Sequence, residues 1–404
     1  MSDSFADGVA LLERLIAFDT TSNCSNLALI DFVKAYLADY GVESTLVPSA
    51  CGEKANLYAT IGPQDRPGVM LSGHTDTVPV AGQVWSSDPY QLTAKGLRLY
   101  GRGTADMKGF LAMVLAAVPS MCRANLEVPI HLAFSHDEEV GCVGVRSLIE
   151  AMQHFEVKPR VCIVGEPTSM RLATAHKGKR SGRITITGRA CHSGMAPEGV
   201  NAIEQSAPLI QWFADTAAAK AASGPFDERF AIAHTTLQLG TILGGTALNI
   251  VPAECQFDFE VRNVPGEDVE TLLAPLIDKI ARLDRELKTR HSEAGVSLTW
   301  LGDYPGLAMV EHSALVNLVL SLLAEPGRER IGFGTEAGLF QQRLGIPTLV
   351  CGPGNMAQGH QPDEYITRDQ LAHCAAFLQR LVEALSDPEA AVSLDHACAE
   401  LVQA

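Results

Sequence analysis

Residues 130–139 read I-H-L-A-F-S-H-D-E-E, a short apolar run that ends directly in acidic side chains. Two other runs have the same form: residues 69–76 read V-M-L-S-G-H-T-D, and residues 161–166 read V-C-I-V-G-E. Apolar runs of this length that end in polar residues or glycine are typical of buried strands, which are predicted here over 69–72, 130–135 and 161–165. Because ligand sites in open α/β sheets lie beyond the carboxyl ends of the strands, these three ends predict one shared site.

Segments with helical spacing of apolar residues separate these runs. Residues 107–120 precede the run at 130, and residues 143–154 follow it. Strands that alternate with helices indicate an α/β domain with a largely parallel sheet. The same spacing predicts helices over 6–18 and 27–40, and one further strand is predicted over 56–61.

The pattern changes after about residue 178. Strands are predicted over 183–189, 235–242, 255–262 and 296–301, and helices over 202–217 and 269–287. The order β-α-β-β-α-β predicts a ferredoxin-like domain. From residue 302 the α/β pattern returns, with a helix over 314–323, a strand over 347–351 and a helix over 368–385. We therefore expect a two-domain α/β protein. The first part of its main domain is residues 1–178, the second part is residues 302–404, and a smaller lid domain over 179–301 interrupts it.

Composition restricts the class of function. The chain has 404 residues, which favours two domains, and a net charge of −16. Such an acidic protein lacks the basic patches that bind nucleic acid or anionic membranes. The first residues have no basic n-region, and no apolar run approaches the roughly 18 residues of a membrane span. The ten cysteines form no C-x-x-C pair, which suits reduced thiols. We expect a cytoplasmic protein that acts on a small molecule.

Metal-ligand residue types occur in five local patterns along the chain: His74, Asp106, Glu139, Glu166 and His360. Imidazole and carboxylate ligands suit zinc and its first-row neighbours. Two ions that share one bridging carboxylate need two further protein ligands each. Five such residues therefore predict a two-metal hydrolase, in which the ions activate a water nucleophile. The pair Cys191 and His192 could instead indicate a thiol nucleophile, but the metal interpretation already supplies one.

Each pattern also has an ordinary structural explanation. His74 could belong to a polar strand end, Asp106 to a glycine-rich turn that caps a helix, residues 137–139 to a solvated acidic loop, and His360 to a solvated loop. Their joint occurrence in chain order favours the metal site.

Two neighbouring carboxylates have predicted roles beside the ligands. Asp76 lies two residues after His74, on the same side of an extended segment, where it could hold the second imidazole nitrogen. Glu138 precedes Glu139, and adjacent side chains usually diverge. Glu138 is therefore the predicted general base, within reach of the proton of the attacking water.

Taken together, these patterns resemble the M20 metallopeptidase family over about residues 8–385. The branch of acetylornithine deacetylases is the most similar. The stretches that carry this similarity are G-E-P-T-S at 165–169, H-K-G at 176–178, G-V-N-A-I-E at 199–204, F-G-T-E-A at 333–337 and G-P-G-N-M-A-Q-G-H-Q-P-D-E-Y at 352–365. The resemblance implies that residues 1–178 and 302–404 form a zinc-hydrolase-like catalytic domain and that residues 179–301 form a lid and dimerisation domain. It also implies a metal-dependent amidohydrolase that cleaves an N-acyl-L-amino acid. The first candidate substrate is N2-acetyl-L-ornithine, whose hydrolysis to L-ornithine and acetate belongs to arginine biosynthesis.

The resemblance also implies a ligand set. His74 and Glu166 would hold one ion, Glu139 and His360 the other, and Asp106 would bridge them. The ions would be zinc, with cobalt or manganese as alternatives. Members of the family often have a cis peptide after the bridging aspartate, which is Asp106–Met107 here.

Further site residues are implied on the lid side. His192 matches a histidine that reaches into the partner subunit's site in dimeric members, so a homodimer through the lid domain is expected. Asn249 and Arg262 match positions that grip the substrate carboxylate, and Gly334 and Thr335 match loop residues that line the pocket. The stretch S-G-M-A-P after His192 departs from the pattern of the deacetylases, which leaves the particular N-acyl amino acid open.

Glu336 is a candidate specificity residue, because an acidic side chain in the pocket could meet the δ-amino group of an ornithine-like substrate. The ordinary alternative is a carboxylate at a helix end. Other functions also stay open: an N-acetylcitrulline deacetylase, a succinyl-diaminopimelate desuccinylase or an aminoacylase, then a dipeptidase or carboxypeptidase. The remotest alternative is a non-catalytic binding protein.

Overall fold

The computed structural model describes residues 3–309 and 313–389, and residues 392, 394, 396 and 397. The outermost ends of the predicted domains, 1–2 and 398–404, lie outside the described residues, as does Cys398. The chain divides into two compact units. The first, here called the main unit, contains Met1–Ala175, Leu307–Ile331 and Thr335–Ala404. The second, here called the insertion unit, contains His176–Gly306 and Gly332–Gly334.

The helices of the described chain are α1 (Asp3–Ile16), α2 (Leu27–Asp39), α3 (Lys108–Arg123), α4 (Val145–Gln153), α5 (Ala202–Ser223), α6 (Val269–Arg290), α7 (Ala314–Ser321), α8 (Ala337–Leu344) and α9 (Arg368–Leu385). The strands are β1 (Ser44–Pro48), β2 (Ala55–Ile61), β3 (Val69–His74), β4 (Thr93–Lys95), β5 (Arg98–Tyr100), β6 (Ile130–Ser135), β7 (Val161–Pro167), β8 (Leu172–His176), β9 (Lys179–Thr187), β10 (Thr236–Gly244), β11 (Glu254–Arg262), β12 (Gly295–Tyr304), β13 (Leu307–Ala308), β14 (Arg328–Ile331), β15 (Thr348–Gly352) and β16 (Tyr365–Thr367).

The central sheet of the main unit has the order β1-β2-β6-β3-β7-β15-β8-β13. The neighbours β6, β3, β7 and β15 run parallel, whereas β1, β2 and β8 pair antiparallel. The predicted parallel sheet is thus its centre, and the whole sheet is mixed. Strands β3 and β6 are in register from Val69 opposite Ile130 to His74 opposite Ser135. Their carboxyl ends therefore meet at one edge of the sheet.

Helix α3 joins that edge to the core. Its residues from Lys108 to Val118 are all buried, because the helix packs on α1, α9 and strands β3 and β7. Asp106 lies just before the helix begins, and the peptide bond Asp106–Met107 is cis, as expected. The buried helix thus fixes the backbone that carries the carboxylate of Asp106.

The insertion unit has the element order β9-α5-β10-β11-α6-β12 and an antiparallel sheet of order β10-β11-β9-β12. Buried and half-buried residues alternate along β11, as expected for a sheet with one covered face. Its core includes Phe257 and Phe259 from β11, Phe213 from α5 and Leu276 from α6. Strand β10, at one edge of this sheet, carries exposed Ile242 and Leu243.

Nine cysteines in the described part of the chain are free. Among the described residues, none of the helices has the length and apolar character that a membrane crossing requires.

Candidate metal centre

The parallel strands of the main unit bring the predicted ligands to one edge. His74 is the last residue of β3, Glu166 lies near the end of β7, and Glu139 lies four residues beyond β6. His360 lies in the loop between β15 and β16, with a φ of 61°. Three of the five candidates, His74, Asp106 and Glu166, are buried, Glu139 is half-buried, and the side chain of His360 is 46% exposed.

Asp106 lies between the two histidines. Its Oδ1 atom is 3.0 Å from Nε2 of His74, and its Oδ2 atom is 3.2 Å from Nε2 of His360. Each histidine also has a second carboxylate neighbour. Oε1 of Glu166 is 3.7 Å from Nε2 of His74, and Oε2 of Glu139 is 2.9 Å from Nε2 of His360. The arrangement is two histidine-carboxylate pairs, one on each oxygen of a shared aspartate.

Burial and mutual repulsion disfavour charge on Glu139 and Glu166, whereas hydrogen bonds to His360 and His74 lower the pKa of Asp106. Burial, together with the nearby Asp106, raises the pKa of Glu166 well above its usual range and the pKa of Glu139 to about 7. The pKa of His360 is raised to about 10 by its hydrogen bonds to Asp106 and Glu139. A buried cluster of carboxylates is costly unless positive charge compensates it.

The donor set fits divalent cations. Buried Oε1 of Glu139 has no hydrogen-bond partner among the described residues, so it is available to a further group. One ligand atom from each of His74, Asp106 and Glu139 can be chosen so that all lie within 4.8 Å of one another. The same holds for His74, Glu138 and Glu166, so the geometry also permits Glu138 as a ligand. Imidazole and carboxylate donors of this kind suit zinc and related ions.

Asp76 holds the acidic loop that follows β6. Its carboxylate accepts the backbone N–H groups of Glu138 and Glu139 at 3.1 and 3.2 Å, and the hydroxyl of Ser22 at 2.7 Å. Nδ1 of His74 lies 2.9 Å from the backbone oxygen of Asp76 and 3.6 Å from its carboxylate. The nearer partner of His74 is therefore the backbone of Asp76, while the carboxylate mainly positions residues 138 and 139.

Sequence reasoning missed several side chains that surround this loop. Lys54 forms an ion pair with Asp137 at 2.5 Å and also donates to the backbone oxygen of Ser22. The thiol of buried Cys142 lies 3.3 Å from Oε1 of Glu138 and donates to it. Burial and the coulombic effect of neighbouring Glu139 raise the pKa of Glu138 to about 8. No local motif signals these contacts, since Lys54 is 83 residues from Asp137 and Cys142 is a lone cysteine in the same loop as Glu138.

Glu336 lies at the start of α8 and is 1% exposed. The hydroxyl of Ser135, at the end of β6, donates to its Oε1 atom at 2.5 Å. Its Oε2 atom is buried and has no partner among the described residues. Burial raises the pKa of Glu336 to about 7. Thr335 beside it is fully buried, and its hydroxyl accepts the backbone N–H of Ala337, the first residue of α8, at 3.0 Å.

The remaining predicted residues lie in the insertion unit. His192 is exposed, its Nδ1 accepts the N–H of Gly194 at 3.1 Å, and it pairs with Ile250 in an isolated bridge. The adjacent N–H of Ser193 donates to the backbone oxygen of Asn249 at 3.0 Å, so the segments of His192 and Asn249 lie together.

Arg262 lies at the end of β11 in the same unit. It donates from Nε to Glu260 at 2.7 Å and from Nη1 to the hydroxyl of Tyr304. Gly334 packs on the ring of Tyr304, where a Cβ atom would lie 1.8 Å from a ring carbon. The close approach explains why this position suits glycine.

Comparison with known proteins decides the family. Residues 70–384 match the description "Peptidase family M20/M25/M40". This chain belongs to that family. The match spans β3 to α9 and includes all five candidate ligands. Membership makes the protein a metal-dependent amidohydrolase, as the sequence predicted.

Individual relatives agree with this assignment. The chain is 35% identical over 383 residues to an acetylornithine deacetylase from Pasteurella multocida, which covers 92% of this chain and 96% of the relative. An M20 family metallo-carboxypeptidase from Sulfolobus solfataricus has the same fold, with a TM-score of 0.74, 18% identity and coverage of 96% and 100%. A dinuclear metal-binding M20 peptidase from Bacillus subtilis superposes with a TM-score of 0.61 at 13% identity, over 94% and 97% of the two chains.

Proposed function

We propose that this M20 amidohydrolase binds two divalent metal ions and hydrolyses the amide bond of N2-acetyl-L-ornithine to L-ornithine and acetate. One observation carries the two-metal part of the proposal. The two oxygens of Asp106 face different histidines, and each histidine has its own further carboxylate. A single ion would not need a second histidine-carboxylate pair on the other oxygen of the same aspartate.

His74 and Glu166 would hold one ion, Glu139 and His360 the other, and Asp106 both. Zinc suits these donors best, while cobalt and manganese are the alternatives. When bound, such ions polarise a carbonyl oxygen and lower the pKa of water, which makes amide hydrolysis possible near neutral pH.

Glu138 is the residue that we propose to move the proton. It would accept a proton from the attacking water and donate it to the leaving amine. One of its side-chain oxygens lies within 4.8 Å of ligand atoms of His74 and Glu166, which puts it within reach of a water held by the ions. Asp76 positions it, because its carboxylate accepts the N–H of residue 138 at 3.1 Å.

The substrate assignment rests on the relatives, several of which are named acetylornithine deacetylases at 34–36% identity over about nine tenths of this chain. The test is a set of initial rates, at matched zinc loading, on N-acetyl-L-ornithine, N-acetyl-L-citrulline, N-succinyl-L,L-diaminopimelate and N-acetyl-L-methionine. Preference for acetylornithine would support the proposal and a place in arginine biosynthesis. Preference for another compound would move the assignment to that branch, and no turnover of any would favour a non-catalytic protein.

Glu336→Gln tests the origin of the specificity. The free Oε2 atom of Glu336 is suited to accept a hydrogen bond from the δ-ammonium group of ornithine. We expect the ratio of kcat/KM for N-acetyl-L-ornithine over N-acetyl-L-norvaline to fall about tenfold or more, as for the loss of one charge-assisted hydrogen bond. Ser135→Ala is the control, since it removes the internal partner of Oε1 and leaves the carboxylate. An unchanged ratio would make Glu336 a structural carboxylate at the start of α8.

We further propose that the protein is a cytoplasmic homodimer that pairs through the insertion unit. His192 would then complete the partner's site. Asn249 and Arg262 would bind the substrate carboxylate, and Gly334 and Thr335 would line the pocket. The edge strand β10 supports pairing, because β11 is its only neighbour among the described strands and because it exposes Ile242 and Leu243. Leu243→Lys should yield monomers by sedimentation and lose most activity, while zinc content stays unchanged. A fully active monomer would exclude a partner-supplied His192.

A further inference from the structure

A buried ion pair outside the ligand set lies next to the candidate metal centre. Arg102 and Glu364 are each 1% exposed, and Nη1 of Arg102 lies 2.6 Å from Oε2 of Glu364. The two residues come from different loops. Arg102 follows β5, whereas Glu364 directly precedes β16. Strands β5 and β16 pair, with Tyr100 opposite Tyr365, so the backbone already holds these two loops together at one end.

Glu364 contacts the backbone of the shared aspartate. Its Oε1 atom accepts the N–H of Ala105 at 2.9 Å and the N–H of Asp106 at 3.1 Å. Both oxygens of Glu364 are therefore used, one by the guanidinium group and one by two successive amides. A carboxylate with two amide donors fixes the position of that backbone, and so of the side chain of Asp106.

Arg102 extends the connection to the other loop. Its Nη2 atom donates to Oε1 of Gln83 at 2.6 Å, and Nε2 of Gln83 donates to the backbone oxygen of His360 at 3.0 Å. The hydrogen bonds form a continuous chain: amide of Asp106, Glu364, Arg102, Gln83, carbonyl of His360. The two ends of this chain carry side chains that face each other, since Oδ2 of Asp106 is 3.2 Å from Nε2 of His360.

Stability alone does not explain such a pair. Removing two charges from water is costly, and well-packed apolar residues of the same volume are often as stabilising or more so. The positive φ of His360, 61°, is an uncommon conformation for a residue other than glycine, and the bond from Gln83 to its carbonyl helps to hold it. The chain of hydrogen bonds thus fixes the separation and orientation of two candidate ligands.

We propose that Arg102, Glu364 and Gln83 are positioning residues that pre-organise the ion site shared by Asp106 and His360. The inference rests on the proposed two-metal centre. Groups that hold metal ligands in place from behind typically contribute 10- to 100-fold to metal affinity. The effect should be larger at the ion held by His360 than at the other ion. The chain of hydrogen bonds holds two ligands of the first ion, Asp106 and His360, and only Asp106 of the second.

The test compares zinc affinity in four variants of the full-length protein, measured by competition with a chromophoric chelator after metal removal. We expect Gln83→Leu to raise the Kd of the weaker zinc ion about tenfold and Arg102→Met about a hundredfold. The Kd of Arg102→Lys should lie between those of the wild type and Arg102→Met. An ammonium group can pair with Glu364 but lacks the second nitrogen that donates to Gln83. Gln91→Leu, the same change in the same segment, should leave both Kd values unchanged.

A loss of fold is separated from a loss of positioning by a second control. Leu381 lines a small apolar cavity with Val69 and Val161, the first residues of β3 and β7, at the opposite edge of the sheet from His74 and Glu166. Leu381→Ala should lower the unfolding temperature without changing zinc affinity by more than twofold. Wild-type zinc affinity in both Gln83→Leu and Arg102→Met would overturn the inference. If the wild-type protein itself bound fewer than two ions, the proposed function would fail instead.

Discussion

Glu138→Gln is expected to lower kcat by about 10²- to 10⁴-fold, the usual contribution of a general acid-base, while the protein keeps two bound metal ions. The substitution preserves the shape of the side chain and leaves one oxygen to accept from the thiol of Cys142. It removes the charge of the carboxylate and its ability to take up a proton. The backbone N–H of residue 138 still donates to Asp76, so the loop should keep its conformation. The measurements are kcat on N-acetyl-L-ornithine and metal content by mass spectrometry on the same samples.

The metal measurement separates two roles that the geometry allows. His74, Glu138 and Glu166 can bring one ligand atom each within 4.8 Å of one another, so Glu138 could ligate an ion and Glu139 could act as the base. If Glu138→Gln loses one ion, Glu138 is a ligand. If it keeps both ions and more than a tenth of the wild-type kcat, Glu138 is not the base. Glu156→Gln, an exposed position, is the matched control and should change neither quantity.

The catalytic edge of the sheet could be predicted because its signal is local. Each of β3, β6 and β7 is an apolar run that ends in a polar residue, and the rule for strand ends places those polar residues together. The observed strands differ from the predicted ones by at most two residues at either end in these three cases. The βαββαβ order of the insertion unit could be predicted for the same reason. Its strands and helices are long enough to show clear alternation or helical spacing of apolar residues.

The missed elements are short or depend on distant partners. Strands β4, β5 and β16 have three residues each, too few to show alternation, and they form a separate small sheet. Strand β8 is buried on both faces, so its sequence L-A-T-A-H shows no amphipathic pattern. The antiparallel flanks of the central sheet likewise follow from pairing between distant segments. Such pairing is decided by tertiary packing, which local propensity does not reveal.

The positioning residues Arg102, Glu364 and Gln83 could not be predicted from the sequence for a related reason. Arg102 and Glu364 are separated by 262 residues, and a lone arginine in a glycine-rich turn has no signature of burial. Asp76 shows the same limit. Its spacing from His74 predicted a contact with the imidazole, and the carboxylate lies 3.6 Å from Nδ1 of His74. The same spacing could not predict the two amides of residues 138 and 139, 62 and 63 residues away, that the carboxylate also accepts.

Asp106→Asn is expected to have the second large effect, on metal content as well as on rate. An amide has one oxygen and one NH₂ group, so it cannot present an oxygen to both histidine-carboxylate pairs. We expect bound metal to fall from two ions to at most one. Activity should fall at least about 10³-fold, because metal stabilisation is worth several kcal/mol and each 1.36 kcal/mol is a factor of ten.

Comparison with single-site ligands distinguishes a bridge from an ordinary ligand. His360→Ala should lose only the ion that it shares with Glu139, and His74→Ala only the ion that it shares with Glu166, whereas Asp106→Asn should weaken both. Asp258→Asn in the insertion unit is the matched control, since that carboxylate also uses both oxygens, in a bidentate pair with Arg183 at 2.7 and 2.9 Å. Metal content and competition titrations measure all four variants. If Asp106→Asn bound two ions with wild-type affinity, Asp106 would not bridge them. Replacing one oxygen of a bridging carboxylate should weaken the binding of at least one ion.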